Sequence, residues 1–206
     1  MSVRRAAQGA GLPAALCRSF DPVYRADARV LVLGSMPGAA SLAAAEYYAH
    51  PRNAFWPIMG ALFGAAPALP YGERLQRLTA SGVALWDVIG ACDRAGSLDS
   101  AIVPESIVAN DFAALFAACP QIGHVFFNGA AAETAFRRHV RARVALPPLH
   151  FTRLPSTSPA HAARNFAAKL AGWQALQAAN RADAPLRLSA LAAHDATAGG
   201  VPARAA

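Results

Sequence analysis

Charge is scarce in this sequence: 15% of its 206 residues are Asp, Glu, Lys or Arg, against 55% apolar ones. That balance leaves enough apolar surface to bury one good core and fits a single domain with ragged ends. Cysteine is equally sparse. The three present, Cys17, Cys92 and Cys119, lie far apart with no C-x-x-C pair, which excludes a disulfide framework and a zinc or iron–sulfur site. With no phosphate-loop motif either, neither a metal nor a nucleotide cofactor is expected. Long hydrophobic runs are missing as well. Gly, Pro or charge interrupts every apolar stretch well short of the ~20 residues a membrane span needs, and the first residues, MSVRRAAQGAGLPAALC, hold no continuous signal core. The expectation is a cytoplasmic, monomeric protein.

What charge there is leans one way. The formal net charge is +7, from 19 Lys and Arg against 12 Asp and Glu, with Arg far commoner than Lys. A basic excess of this size favours contact with a polyanion, through phosphate charge and counterion release. Base composition of the genome and solubility give such a balance too, so charge alone does not choose a partner.

The chain is organised around Gly34 to Trp56, GSMPGAASLAAAEYYAHPRNAFW. The stretch opens at the end of Val30-Leu31-Val32-Leu33, whose length and bounding Gly suit a strand buried on both faces of a parallel sheet. Gly34, Pro37 and Gly38 turn the backbone at the carboxyl end of that strand, where ligands sit in open α/β sheets. Helices are expected over residues 54–63, 71–80, 111–118, 130–139 and 160–178, the third capped by Asn110 or Asp111. Strands are expected over 82–88, 123–127 and 150–154. The pattern predicts a three-layer αβα fold around a four-stranded, mostly parallel sheet. Residues 1–25 read as irregular apart from a short helix around Leu12 to Phe20. The domain proper spans 26–180, Ile89 to Asn110 is a long connection over the sheet edge, and 181–206 is a mobile tail.

Each expected strand ends in a polar loop: GSMPG, WDV, FNG and LPSTSPAH. The blocks GSMPG...YYAHPRNAFW and LPSTSPAH, in that order, resemble the uracil-DNA glycosylase superfamily, and most closely its hypoxanthine-DNA (deoxyinosine) glycosylase branch, over about Arg29 to Trp173. The resemblance implies a monofunctional enzyme of base excision repair, associated with the nucleoid. Such an enzyme flips a deaminated base (hypoxanthine, with uracil or xanthine as alternatives) out of DNA and hydrolyses its glycosidic bond.

On that resemblance Tyr48 stacks on the base while Tyr47 suits the core. Backbone N–H groups of the loop from Ser35 through Met36 to Gly38 donate to the departing base, and Asp87 stands where many relatives carry a base-reading Asn, which implies a different hydrogen-bond pattern or a protonated carboxyl. Asn128 either contacts the base or shapes its Asn-Gly turn. Met36 occupies the position at which uracil-specific relatives hold a water-orienting Asp or Asn. Asn53 is the neighbouring substitute, either placing the water or capping the next helix. His50 and the loop Ser156, Thr157, Ser158 and His161 are assigned to DNA, the loop being helped by the N-terminus of the following helix; His161 is alternatively a surface or capping residue.

Two readings of other classes stand beside this one. A serine hydrolase would use Ser35 or Ser156 with His161, but neither serine sits in G-x-S-x-G. A nucleic-acid or nucleotide binding module of the same fold without catalysis would explain the absent acid at Met36.

Overall fold

The computed structural model describes residues 16–182. The expectations for residues 1–15 and 183–206, which include most of the tail, lie outside the described residues. Strand β1 is Leu16–Arg18, and the central strand β2 is Val30–Gly34, buried along its whole length. The chain continues through α1 (Ala39–Ala44), α2 (Phe55–Phe63) and α3 (Tyr71–Ala80) to β3 (Val83–Asp87). Then come β4 (Ile89–Asp93), β5 (Val108–Ala109), α4 (Phe112–Ala118), β6 (His124–Asn128), α5 (Ala130–Phe136), β7 (His150–Leu154) and α6 (Phe166–Ala182).

The main sheet has the order β3-β2-β6-β7, with every neighbouring pair parallel. Successive side chains of a strand point to opposite faces, and β2 shows the consequence. Leu31 and Leu33 join Phe112, Leu115 and Phe136 of α4 and α5 in one core, while Val30 and Val32 join Phe55, Ile58, Met59, Leu78 and Trp173 of α2, α3 and α6 in the other. Each fully buried Leu, Ile or Phe contributes roughly 1.5–3 kcal/mol through apolar surface removed from water. The three-layer expectation therefore holds, and registry follows from it. Gly34 lies opposite Asp87, and Asn128 opposite Leu154, so the strands end together.

Several local expectations need correction. Leu16–Arg18, expected within a helix, is a strand pairing antiparallel with β4, and β4 pairs with β5 in a second, three-stranded sheet. Ile89 to Asn110 is thus not a bare connection. Its apolar Ile89 and Cys92 are buried against the α4 side of the core, and the period was hidden because the strand is short and bulged. The central loop contains α1, closed by Ala45 in the left-handed region at φ 52°. Asp111, not Asn110, caps α4, accepting from the Ala114 N–H. After Phe136 the expected helix relaxes into a π-turn over Arg137–Arg141. The last helix starts at Phe166 rather than Ala160, because residues 159–165 run as turns. Among the described residues no helix is long and apolar enough to cross a membrane.

Candidate active site

The aligned strand ends frame a cavity of about 450 Å³, lined by Gly34 to Ser41, Tyr47, Tyr48, His50, Arg52, Asn53, Asp87, Ser97 to Asp99, Asn128 and Ser156 to Ala160. It gathers the four polar loops. Of the candidates read from the sequence, His161 alone is outside this cavity. It lies with Arg153 and Arg164 along an adjoining cavity of about 550 Å³ that shares Asp99, Asn128, Ser156 and Ser158.

The loops are fixed from beneath by buried donors. The indole of Trp56 donates to the Tyr47 carbonyl at 2.8 Å, and that of Trp173 to the Pro155 carbonyl at 2.9 Å. The buried Arg94 guanidinium donates through Nη2 to the Pro37 carbonyl. A buried donor without an acceptor costs ~1–3 kcal/mol, so each anchor resists displacement. The site is built on the sheet rather than on free loops.

Tyr47 is a core residue, 2% exposed, as expected. Tyr48 holds a left-handed backbone, φ 56°, uncommon for a bulky side chain. One face of its ring stacks on Phe55 at 4.0 Å, and its hydroxyl is buried near the Asn128 side chain. Burial raises that hydroxyl far above the ordinary tyrosine range, with the Asp87 charge adding to the effect. Tyr48 therefore stays a neutral phenol. Strain of this sort at a cavity wall is found where a site imposes it.

Asp87 is 3% exposed and its Oδ2 has no protein partner. Its carboxyl packs on Gly34, where a Cβ would collide with Oδ1 and approach the Tyr48 hydroxyl at 3.1 Å. Burial pushes its carboxyl up to about 8; Asp99 adds to the shift and Arg94 opposes it. At neutral pH the group is mostly a neutral acid, with one O–H to donate and one C=O to accept.

Asn53 accepts the Phe55 N–H on Oδ1 at 3.0 Å. The oxygen thus ties down the first N–H of α2 from the residue before its N-cap, Ala54, and Asn53 also lines the cavity. Met36, 6% exposed, belongs to the apolar core although it borders the site. The His50 ring accepts the Arg52 N–H through Nδ1 at 3.1 Å, which orders the His-Pro-Arg-Asn turn.

Asn128 and Thr157 are bound to one another at the cavity wall. Asn128 Nδ2 donates to the Thr157 hydroxyl and Asn128 Oδ1 accepts the Thr157 N–H, both at 2.8 Å. The amide thereby joins β6 to the loop after β7, while Asn128 still lines the cavity. Thr157 is fully buried, so its hydroxyl does not face a phosphate. The late start of α6 removes the helix N-terminus from beside Ser156 to His161. Ser156, Ser158 and Arg164 line the second cavity. The serine-hydrolase geometry is also missing: Ser35 Oγ donates to Asp99 Oδ1 at 2.8 Å and Ser156 Oγ accepts from the Ser158 N–H, so neither serine is held by His161.

Sequence reasoning missed Asp99. It rides on a short 3-10 turn, Asp99–Ala101, and borders the cavity beside Ser35. Desolvation raises its carboxyl above the ordinary range, opposed by the Ser35 bond and the Arg94 charge. The only signal was the polar density of Arg94, Gly96, Ser97 and Asp99 within an aperiodic stretch, which names no partner.

Comparisons with known proteins agree with this geometry. The family model of the uracil DNA glycosylase superfamily matches residues 22–179. Two curated relatives, hypoxanthine DNA glycosylases of Methanosarcina barkeri and Methanosarcina acetivorans, are 37% and 36% identical over 113 residues, 54% of this chain and 70% of each relative. A solution NMR structure from Methanosarcina acetivorans, given as a candidate uracil DNA glycosylase, superposes with a TM-score of 0.66 at 30% identity, covering 81% of this chain and 99% of that one. By sequence over three quarters of its length and by fold, the chain belongs to the uracil DNA glycosylase superfamily.

Proposed function

We propose that this chain is a DNA glycosylase that extrudes a deaminated base, hypoxanthine first, and hydrolyses its bond to deoxyribose to leave an abasic site. The observation that carries the reading is the buried Asp87 carboxyl with its unpartnered Oδ2, set against Gly34 and the Tyr48 hydroxyl at the floor of the cavity. A neutral carboxyl is complementary to a lactam edge: its O–H donates to the ring carbonyl and its C=O accepts the adjacent ring N–H. Hypoxanthine, xanthine and uracil all present that edge once flipped from the stack. Loop N–H groups between Ser35 and Gly38 favour a carbonyl oxygen over an exocyclic amino group, which disfavours adenine.

In this reading the free side of the Tyr48 ring covers the flipped base, and the same loop N–H groups take up the negative charge that grows on the base as the C1′–N bond breaks. Asn53 Nδ2 orients the attacking water. Ser156, Ser158, His161 and Arg164 hold the backbone beside the extruded nucleotide, with sequence-independent phosphate contacts. The two hypoxanthine DNA glycosylase relatives support the choice of base. The test is base release from duplexes carrying inosine, xanthosine, deoxyuridine or an undamaged base, followed by alkaline cleavage at abasic sites. Release from inosine strands at the highest rate is the expected result. Tight binding without release of any base would leave the non-catalytic module as the function.

A further inference from the structure

Glycoside cleavage ordinarily employs a carboxylate near the anomeric carbon, yet the Gly34 to Trp56 stretch places only Met36 at the expected point, sunk into the core. The fold brings a carboxylate to the same cavity from elsewhere. Asp99 arrives on the connection between β4 and β5, its Oδ1 held by the hydroxyl of Ser35, the residue immediately before Met36. The arrangement is braced on both sides. Ser97 Oγ accepts the Ala39 N–H at 2.9 Å, and Arg94 holds the Pro37 carbonyl, so residues 94–99 are fastened to residues 37–39. Asp99 also differs from the cavity's other carboxyl: Asp87 is buried at 3% exposure, whereas Asp99 has exposed surface and borders both cavities while its carboxyl is partly desolvated.

Resting on the glycosylase reading above, we propose that Asp99 is a catalytic residue whose carboxylate receives a proton from the attacking water. In the step, the C1′–N bond breaks and its electron pair leaves with the base. The water oxygen forms the new C1′–O bond, and the water proton passes to Asp99 Oδ2, the oxygen not held by Ser35. The released base takes a proton from solvent, and Asp99 returns its own to solvent, so no other reactant is needed. A carboxylate in this place also lowers the energy of the cationic sugar before water adds. Ser35 is a positioning residue, fixing one oxygen so that the other meets the water. Asn53 and Asp99 divide the work: the amide aims the water and the carboxylate takes its proton.

The experiment is single-turnover release of hypoxanthine from inosine duplex at saturating protein, with DNA affinity measured in parallel. Asp99→Asn keeps an acceptor for the Ser35 hydroxyl, so a merely structural Asp99 predicts normal release. The proposal predicts a fall on the order of 10² or more, the usual worth of a general base, with duplex affinity unchanged or tighter. For Asp99→Ala, added formate should restore part of the rate. If Asp99→Asn does not fold, Asp99→Glu and Asp99→Gln carry the comparison, and equal rates for the two overturn the proposal. Normal release by Asp99→Asn overturns it while leaving the glycosylase reading intact. Failure of the wild-type chain to release any deaminated base defeats both.

Discussion

The Asp87 carboxyl lies on the bare Cα of Gly34, so closely that a Cβ there would collide with Oδ1. Two strand ends thereby share one position: in-register pairing of β2 with β3 sets Gly34 opposite Asp87, and the missing side chain makes room for the buried acid. Gly34→Ala should push the carboxyl off the cavity floor. The expected outcome is overpacking that costs ~1–3 kcal/mol, read as a lower Tm, with hypoxanthine release reduced far more than DNA binding. A variant with normal release would show that Asp87 need not occupy its present place.

Asp87 also predicts a pH dependence. Its folded carboxyl, about 8, lies above the ordinary 3.8 of the unfolded chain, so the folded state holds the proton more tightly. This contribution to stability is complete below about 3.8, declines as pH rises, and is lost above about 8. Chemical denaturation between pH 5 and 9 should show a downward slope that Asp87→Asn removes. Release should decline above about pH 8 in the wild type if the neutral acid reads the base. Asn offers the same donor and acceptor without titrating, so Asp87→Asn should keep its activity at pH 9; a variant equally inactive at every pH would refute the neutral-acid reading.

Asn53 carries two roles that one substitution series separates. Asn53→Ala removes both, with release expected to fall on the order of 10²- to 10³-fold for loss of one placed polar group and stability by ~1 kcal/mol for the lost cap. Asn53→Asp and Asn53→Ser keep an oxygen for the Phe55 N–H and should melt near the wild type. Because they lack the Nδ2 donor, they should still be slow. Normal rates in those two variants would assign Asn53 to the cap alone.

The clasp between Asn128 and Thr157 predicts a structural effect rather than a chemical one. Asn128→Ala leaves the Thr157 N–H and hydroxyl buried without their partner, a cost of ~1–3 kcal/mol for each such group. Amide hydrogen exchange should then quicken across residues 155–159. Unchanged exchange with a large loss of release would move Asn128 to the base instead.

Affinity for undamaged duplex should fall linearly on a log–log salt plot, and Arg164→Ala should lower the slope by about one. Arg153 is a weaker choice, since Glu133 pairs with it at 3.3 Å. A slope independent of Arg164 would take the second cavity out of the DNA footprint.

The sequence by itself determined the sheet and the loops at its edge. Val30 to Leu33, Val83 to Trp86 and Val125 to Phe127 are short apolar runs that have no stable place except between two apolar layers, and the Gly, Pro, Asn and Ser after them can only be their carboxyl ends. The aromatic and polar cluster Tyr47 to Asn53 was legible as a site for the same reason: a loop of that composition has no packing explanation. Local pattern did not disclose the second sheet, because β1, β4 and β5 are too short to show a period, whereas the late start of α6 had a local signal in Asn165, whose Oδ1 accepts the Ala168 N–H. A protonated Asp87 was one of two alternatives that an Asp at this strand end left open, and its physical cause, burial with Asp99 nearby, lies in the tertiary structure. Asp99 marks the boundary most clearly. Sixty-four residues separate it from Ser35, no spacing rule joins them, and only the fold, by fastening the β4–β5 connection over the Ser35–Gly38 loop, brings its carboxyl to the Ser35 hydroxyl at the cavity.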